Sequence, residues 1–116
     1  MVHDNINVGI YKIGQTAELT HCISAADIDA FAKLTGDYNP VHMNDEYATK
    51  MLLGKRVAHG MLTASFISNL IGEKLPGPGA LLYEQNIHFI SPVYIGEIIR
   101  VIAQVVVTSQ KPGALT

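Results

Sequence analysis

Hydrophobic and polar positions alternate from Gln15 to Ile23, with Ala17, Leu19, His21 and Ile23 set against Thr16, Glu18, Thr20 and Cys22. A period of two predicts a first strand there, entered through a turn at Gly14-Gln15. The period then changes. Ser24 is placed to cap a helix, with Asp27 three residues on as its capping-box partner. Ile28, Phe31, Ala32 and Thr35 predict a helix from Ala25 to about Thr35, ended by Gly36. Asp37 to His42 reads as non-helical, because Pro40 disfavours helix at Asn39 and the Asp and Asn side chains bond local backbone. Asn44 is placed to cap a short helix through Tyr47, Ala48 and Met51, and Gly54-Lys55-Arg56 reads as a loop.

The longest helical pattern runs from about Gly60 to Lys74, with Leu62, Phe66, Ile67, Leu70 and Ile71 as its apolar stripe. Leu75-Pro76-Gly77-Pro78-Gly79 stops it. Two strands are predicted next. Leu81–Ser91 puts Leu81, Tyr83, Gln85, Ile87 and Phe89 on one face, and Ile98–Ser109 does the same with Ile99, Val101, Ala103, Val105 and Val107. Lys111-Pro112-Gly113 has the chemistry of a type II turn. Three strands are few for a helix of about 15 residues, roughly 22 Å long. The pattern therefore predicts further strands beyond Thr116, or strands supplied by another chain.

Composition adds three things. The chain has 116 residues, 48% hydrophobic and 16% charged, which fits one domain with a modest core and apolar surface covered by a partner subunit. A net charge of −2 offers no general attraction to nucleic acid or an anionic membrane. No apolar run approaches the ~20 residues of a membrane span, and Met1-Val2-His3-Asp4-Asn5 is no secretory signal. The single cysteine, Cys22, cannot form an internal disulfide, which suits a cytoplasmic protein.

The candidate chemistry is concentrated in two places. Asp37 and His42 lie five residues apart in the turn-rich stretch Leu34-Thr35-Gly36-Asp37-Tyr38-Asn39-Pro40-Val41-His42. A carboxylate and an imidazole can share a water, one taking its proton and the other orienting it. An ordinary structural account has Asp37 bonding turn amides and His42 capping the helix at Asn44, and spacing alone does not choose. In Val57-Ala58-His59-Gly60-Met61, Gly60 opens the long helix, where backbone N–H groups lack partners and carry partial positive charge. A glycine there admits a ligand oxygen to the backbone, as at an oxyanion site, or is simply a helix-start glycine. His59 reads as structural at the helix entrance.

Ser68, two turns on, can bond water or substrate, or its own helix backbone. His21, His42, His59 and His88 are dispersed, with no HExxH and no cysteine pair, so no metal site is expected. Cys22 has no evident catalytic partner. Lys50, Lys55, Arg56 and Lys74 suggest a basic rim, read first as solvated surface.

Phe31 to His42 resembles the signature of the MaoC-like hydratases, the (R)-specific enoyl-CoA hydratases: an aromatic followed by G-D-x-N-P-[aliphatic]-H. Val57-Ala58-His59-Gly60-Met61-Leu62 resembles the family's second block, and Leu75–Gly79 and Phe89–Glu97 resemble the turn and strand after it. The resemblance implies an α+β hot-dog fold, an antiparallel sheet wrapped around the helix that starts at Gly60, as one domain over residues 1–116. Ser24–Leu53 would be an overhanging active-site segment, and further C-terminal strands would complete the sheet. It also implies a homodimer or higher homo-oligomer. Asp37 and His42 would be the catalytic pair, and Gly60 N–H would bind the thioester oxygen. Ser68 would position water or substrate, with Asn39 and His59 supporting the loop. The implied activity is reversible (R)-specific hydration of trans-2-enoyl-CoA to (R)-3-hydroxyacyl-CoA, with no cofactor and no metal, the CoA thioester being the substrate. The alternatives are a 3-hydroxyacyl-acyl-carrier-protein dehydratase using the same residues, and a hot-dog domain of a larger acyl-CoA enzyme. A hot-dog thioesterase ranks lower, since it has no need of this block.

Overall fold

The first predicted strand forms over Thr16–Cys22 (β1), with Ala17, Leu19 and His21 turned inward and their neighbours exposed. The computed structural model describes residues 11–108. After β1 come α1 (Ala25–Thr35), α2 (Pro40–Met43), α3 (Asp45–Thr49), α4 (Gly60–Glu73) and β2 (Ile98–Gln104), an α+β set of elements. The residues group into two compact units. One holds Thr20–Ser65 with Asn86–Ile99; the other holds the described parts of Met1–Leu19, Phe66–Gln85 and Arg100–Thr116.

In the first unit, α1 starts where its capping chemistry places it. Ser24 Oγ accepts the Asp27 N–H at 3.1 Å, and Asp27 Oδ2 accepts the Ser24 N–H at 3.0 Å. The same Oδ2 accepts from His21 Nε2 at 2.8 Å, tying β1 to the helix start. This bond from His21, together with the Ser24 N–H, holds the Asp27 carboxyl below its usual range. Gly36 ends α1 at φ 82°, a left-handed conformation that favours glycine, and its N–H bonds Ala32 O. Ile28 and Ala32 are fully buried, and with Ile23, Ala48, Val57, Ala58 and Leu62 they form this unit's apolar core. In the second unit Leu70, Leu75 and Val105 are buried.

β1 and β2 pair in a two-stranded antiparallel sheet. At one end Ile23 N–H bonds Glu97 O and Gly96 N–H bonds Ile23 O; at the other Gly14 N–H bonds Val105 O and Val105 N–H bonds Gln15 O. Arg100 Nε donates to Glu18 Oε2 at 2.7 Å on the exposed face.

The structure corrects three expectations. His42 lies within a helical turn, α2, because Pro40 is a favoured first helical residue and Asn39 caps it by accepting Val41 N–H. The predicted strand Leu81–Ser91 does not form. Its alternation is present, but alternation only prepares a face, and a strand exists through pairing. Leu81, Tyr83 and Ile90 are 92%, 98% and 92% exposed. The strand from Ile98 is regular only to Gln104, although Ile99, Val101 and Ala103 do turn inward. The Lys111-Pro112-Gly113 turn lies outside the described residues. No helix among the described residues is long and apolar enough to cross a membrane.

Candidate active site

Asp37 stands just past the α1 cap, in a turn held by its own polar groups. Its N–H bonds Thr35 Oγ1 at 3.2 Å, and its Oδ1 accepts the Asn39 N–H at 3.1 Å. Asn39 in turn accepts the Val41 N–H on its side chain and the His42 N–H on its carbonyl. The G-D-x-N-P-x-H spacing is thus a chain of local hydrogen bonds that presents an exposed carboxylate and delivers His42 into α2.

His42 is half-buried, with Nδ1 2.8 Å from Val57 O. A carbonyl only accepts, so Nδ1 carries a proton, and in the neutral imidazole Nε2 keeps its lone pair. Val57 is fixed in turn: its N–H bonds Val41 O at 3.3 Å, and it bridges to Tyr94. Ala58 N–H bonds Val93 O at 2.7 Å.

His59, immediately before α4, is 2% exposed. Its Nε2 donates to the Asp37 carbonyl at 3.0 Å. Its ring stacks on His42, centroids 4.1 Å apart and planes 30° apart, with the Phe31 ring 4.9 Å away. One possible ligating atom from each of Asp37, His42 and His59 lies within 4.8 Å of the others. The histidines that look dispersed in sequence are here neighbours. One nitrogen of each ring is already engaged, His42 Nδ1 by Val57 O and His59 Nε2 by Asp37 O.

Gly60 is the first residue of α4, and its N–H precedes the helix's own bonding ladder. It borders a cavity of about 240 Å³ lined by Val57, Ala58, Thr63, Phe89 and Val93 among others. A Cβ at Gly60 would meet the Phe89 ring at 3.1 Å, so glycine keeps this end of the cavity open. Ser68 is exposed on α4 and belongs to the other unit.

Lys50, Lys55 and Lys74 are exposed, as the solvated-surface reading has them, and Arg56 is the exception. Arg56 has its side chain only 12% exposed, with Nε donating to His42 O at 2.6 Å and Asp29 and Asp45 within 4 Å. Lys50 pairs with Glu46, Lys55 sits over the Tyr94 ring, and Lys74 bonds Glu18 O. Cys22 is exposed, its Sγ 3.6 Å from Gly96 O. Sequence reasoning missed Val57 and Phe89. Val57 acts through its backbone, which leaves no side-chain signal. Phe89 looked like one more strand residue.

A model of the MaoC like domain matches residues 11–113. The chain is 48% identical over 101 residues to an (R)-specific enoyl-CoA hydratase of Rhodospirillum rubrum, covering 87% of this chain and 69% of that protein. It is 43% identical over 94 residues to a 3-hydroxybutyryl-CoA dehydratase of Methylorubrum extorquens, covering 81% and 60%. The chain thus spans only about 60–70% of the length of these relatives. The solved structure of the R-hydratase PhaJ1 of Pseudomonas aeruginosa superposes with a TM-score of 0.86 at 38% identity, over 92% of this chain and 69% of that one.

Proposed function

The chain belongs to the MaoC-like dehydratase family of hydro-lyases, and from that we propose that it adds water across trans-2-enoyl-CoA to give (R)-3-hydroxyacyl-CoA. One observation supports the reading for these residues: a carboxyl group and an imidazole stand close enough together to share one water. Two groups that each bond the same water at about 2.8 Å stand roughly 4.6 Å apart when its bonds are tetrahedral. One carboxyl oxygen of Asp37 and one ring nitrogen of His42 lie within 4.8 Å of each other.

In this mechanism Gly60 N–H receives the thioester oxygen and draws electron density from C3. The water oxygen attacks C3 as His42 Nε2 takes its proton. Negative charge gathers on the thioester oxygen and returns to C2 as C2 takes a proton from Asp37, which enters as the neutral carboxylic acid; the proton held by His42 then passes to Asp37 and restores the pair. Asn39 shapes the loop. Dehydration is the same path reversed. We read the complete fold as a single hot-dog domain with α4 as its long helix. We further propose a homodimer or higher homo-oligomer, in which apolar residues such as Leu81 and Ile90 are covered.

The test is hydration of trans-2-enoyl-CoA substrates of increasing chain length, followed by chiral analysis of the product. An (R)-3-hydroxyacyl product is expected, abolished in Asp37→Ala and His42→Ala while circular dichroism stays native. An (S)-product, or near-normal turnover in either variant, would sink the assignment.

A further inference from the structure

We propose that His59 is a positioning residue that holds both members of the acid–base pair at once. The inference rests on the catalytic reading of Asp37 and His42 and adds a residue that touches neither substrate nor water.

Asp37 sits in an exposed turn. Its amide and carboxyl group bond Thr35 and Asn39, which belong to the same local segment. The tie to a distant part of the sequence is its carbonyl, bound by His59 Nε2–H at 3.0 Å across 22 residues. His42 meets the same imidazole through its ring face at 4.1 Å. A single buried side chain therefore sets the height of one partner and the ring plane of the other.

The clamp itself is rigid. His59 O accepts Leu62 N–H at 3.0 Å and Thr63 N–H at 3.3 Å, so the residue is built into the start of α4. Neighbouring Ala58 is pinned to Val93, and Phe31 packs on the imidazole from α1. A site held from a regular element keeps tighter geometry than one held by a loop alone.

Packing does not by itself account for an imidazole here. His59 Nδ1 is buried and has no protein partner among the described residues. Burying such a nitrogen costs stability, and a phenyl or isobutyl side chain would fill the space without that cost. What an apolar residue cannot supply is the donor to Asp37 O.

Three variants of the full chain, His59→Phe, His59→Leu and His59→Gln, test the proposal. Phe and Leu keep apolar bulk and lose the donor. Gln places an amide N–H near the former Nε2 and loses the ring. Expected are native circular dichroism and a kcat for enoyl-CoA hydration about tenfold or more below wild type in His59→Phe and His59→Leu. KM should move far less, and His59→Gln should recover part of the loss. Wild-type kcat in folded His59→Phe or His59→Leu would overturn the proposal. So would a kcat loss that only tracks the unfolded fraction in urea titration. If His59→Phe and His59→Leu do not fold, His59→Gln decides, and kcat at or below one-hundredth of wild type counts against the donor role. Asp37→Asn and His42→Asn, run alongside, separate failure of this inference from failure of the catalytic reading. A readout free of turnover completes the test: imidazole ¹H–¹⁵N spectra should place the proton on Nε2 of His59 and on Nδ1 of His42. The reverse tautomer at His59 would remove its hydrogen bond to Asp37 and the proposal with it.

Discussion

His42 and Val57 are joined by a hydrogen bond from an imidazole Nδ1–H to a backbone carbonyl, 2.8 Å long. That bond fixes the tautomer and leaves Nε2 as the basic nitrogen. An Asn amide reaches about the position of Nδ1 and can keep the bond while abolishing the base. His42→Asn should therefore lose ~10²–10⁴ in kcat with little change in unfolding midpoint. His42→Ala should lose both, measured by steady-state hydration and urea titration.

Gly60→Ala separates stability from activity. The added methyl meets Phe89 at 3.1 Å, but that ring is largely exposed and can yield. Alanine also improves helix propensity by up to ~1 kcal/mol. Stability should stay within about 1 kcal/mol of wild type, since any overpacking cost is of similar size. The methyl nevertheless crowds the N–H assigned to the thioester oxygen, so kcat/KM should fall by about 10-fold or more. Adding Phe89→Leu should restore little of it if the crowding is at the N–H itself.

The His21–Asp27 bond gives the fold an acid limb. Asp27 is held below its ordinary pKa of 3.8, so its contribution is fully present above that value. It is lost as pH falls through the depressed folded value, because the unfolded chain takes up the proton first. Urea midpoints measured from pH 5 downward should drop below pH 4, and Asp27→Asn should flatten that drop. Ser24→Ala, which removes the other half of the capping box, should cost about 0.5–2 kcal/mol at neutral pH.

Arg56 should behave as an internal strut. Its Nε bonds His42 O at 2.6 Å from a side chain only 12% exposed. Arg56→Ala should destabilise by about 1.5–3 kcal/mol, the scale of a hydrogen bond to a charged group. Arg56→Lys should not rescue it, since an ammonium lacks the planar fork that reaches His42 O, Asp29 and Asp45 together. Thermal unfolding of the two variants checks this.

The exposed apolar segment around Leu81, Tyr83 and Ile90 predicts self-association. Light scattering on the purified chain should give at least twice its 12.6 kDa mass. Leu81→Lys with Ile90→Lys should shift that mass downward.

Local signals were legible in the sequence and long-range pairing was not. Ser24, Asp27 and Gly36 announce both ends of α1 because capping chemistry is written within a few residues. The turn that carries Asp37 is legible for the same reason. Leu81–Ser91 shows why alternation is insufficient: it marks a two-faced segment without naming a partner for its backbone. Arg56 looked like surface because composition sees a charge and not the His42 carbonyl that takes it inward. His42 and His59 looked scattered because stacking depends on where α2 and the start of α4 meet in space.

Val57 contributes three backbone links and no side-chain chemistry: an N–H to Val41, a carbonyl to His42 and a bridge to Tyr94. Selection acting on this position would see bulk and shape alone. Isoleucine or alanine can carry the same carbonyl to the same imidazole. Proline cannot, because it removes the N–H that holds the segment to Val41. A saturation scan should thus score Val57 as permissive apart from proline and poorly fitting polar residues. The orientation of the basic nitrogen would then rest on a residue whose side chain can change among apolar types that fit the core while its peptide group stays in place.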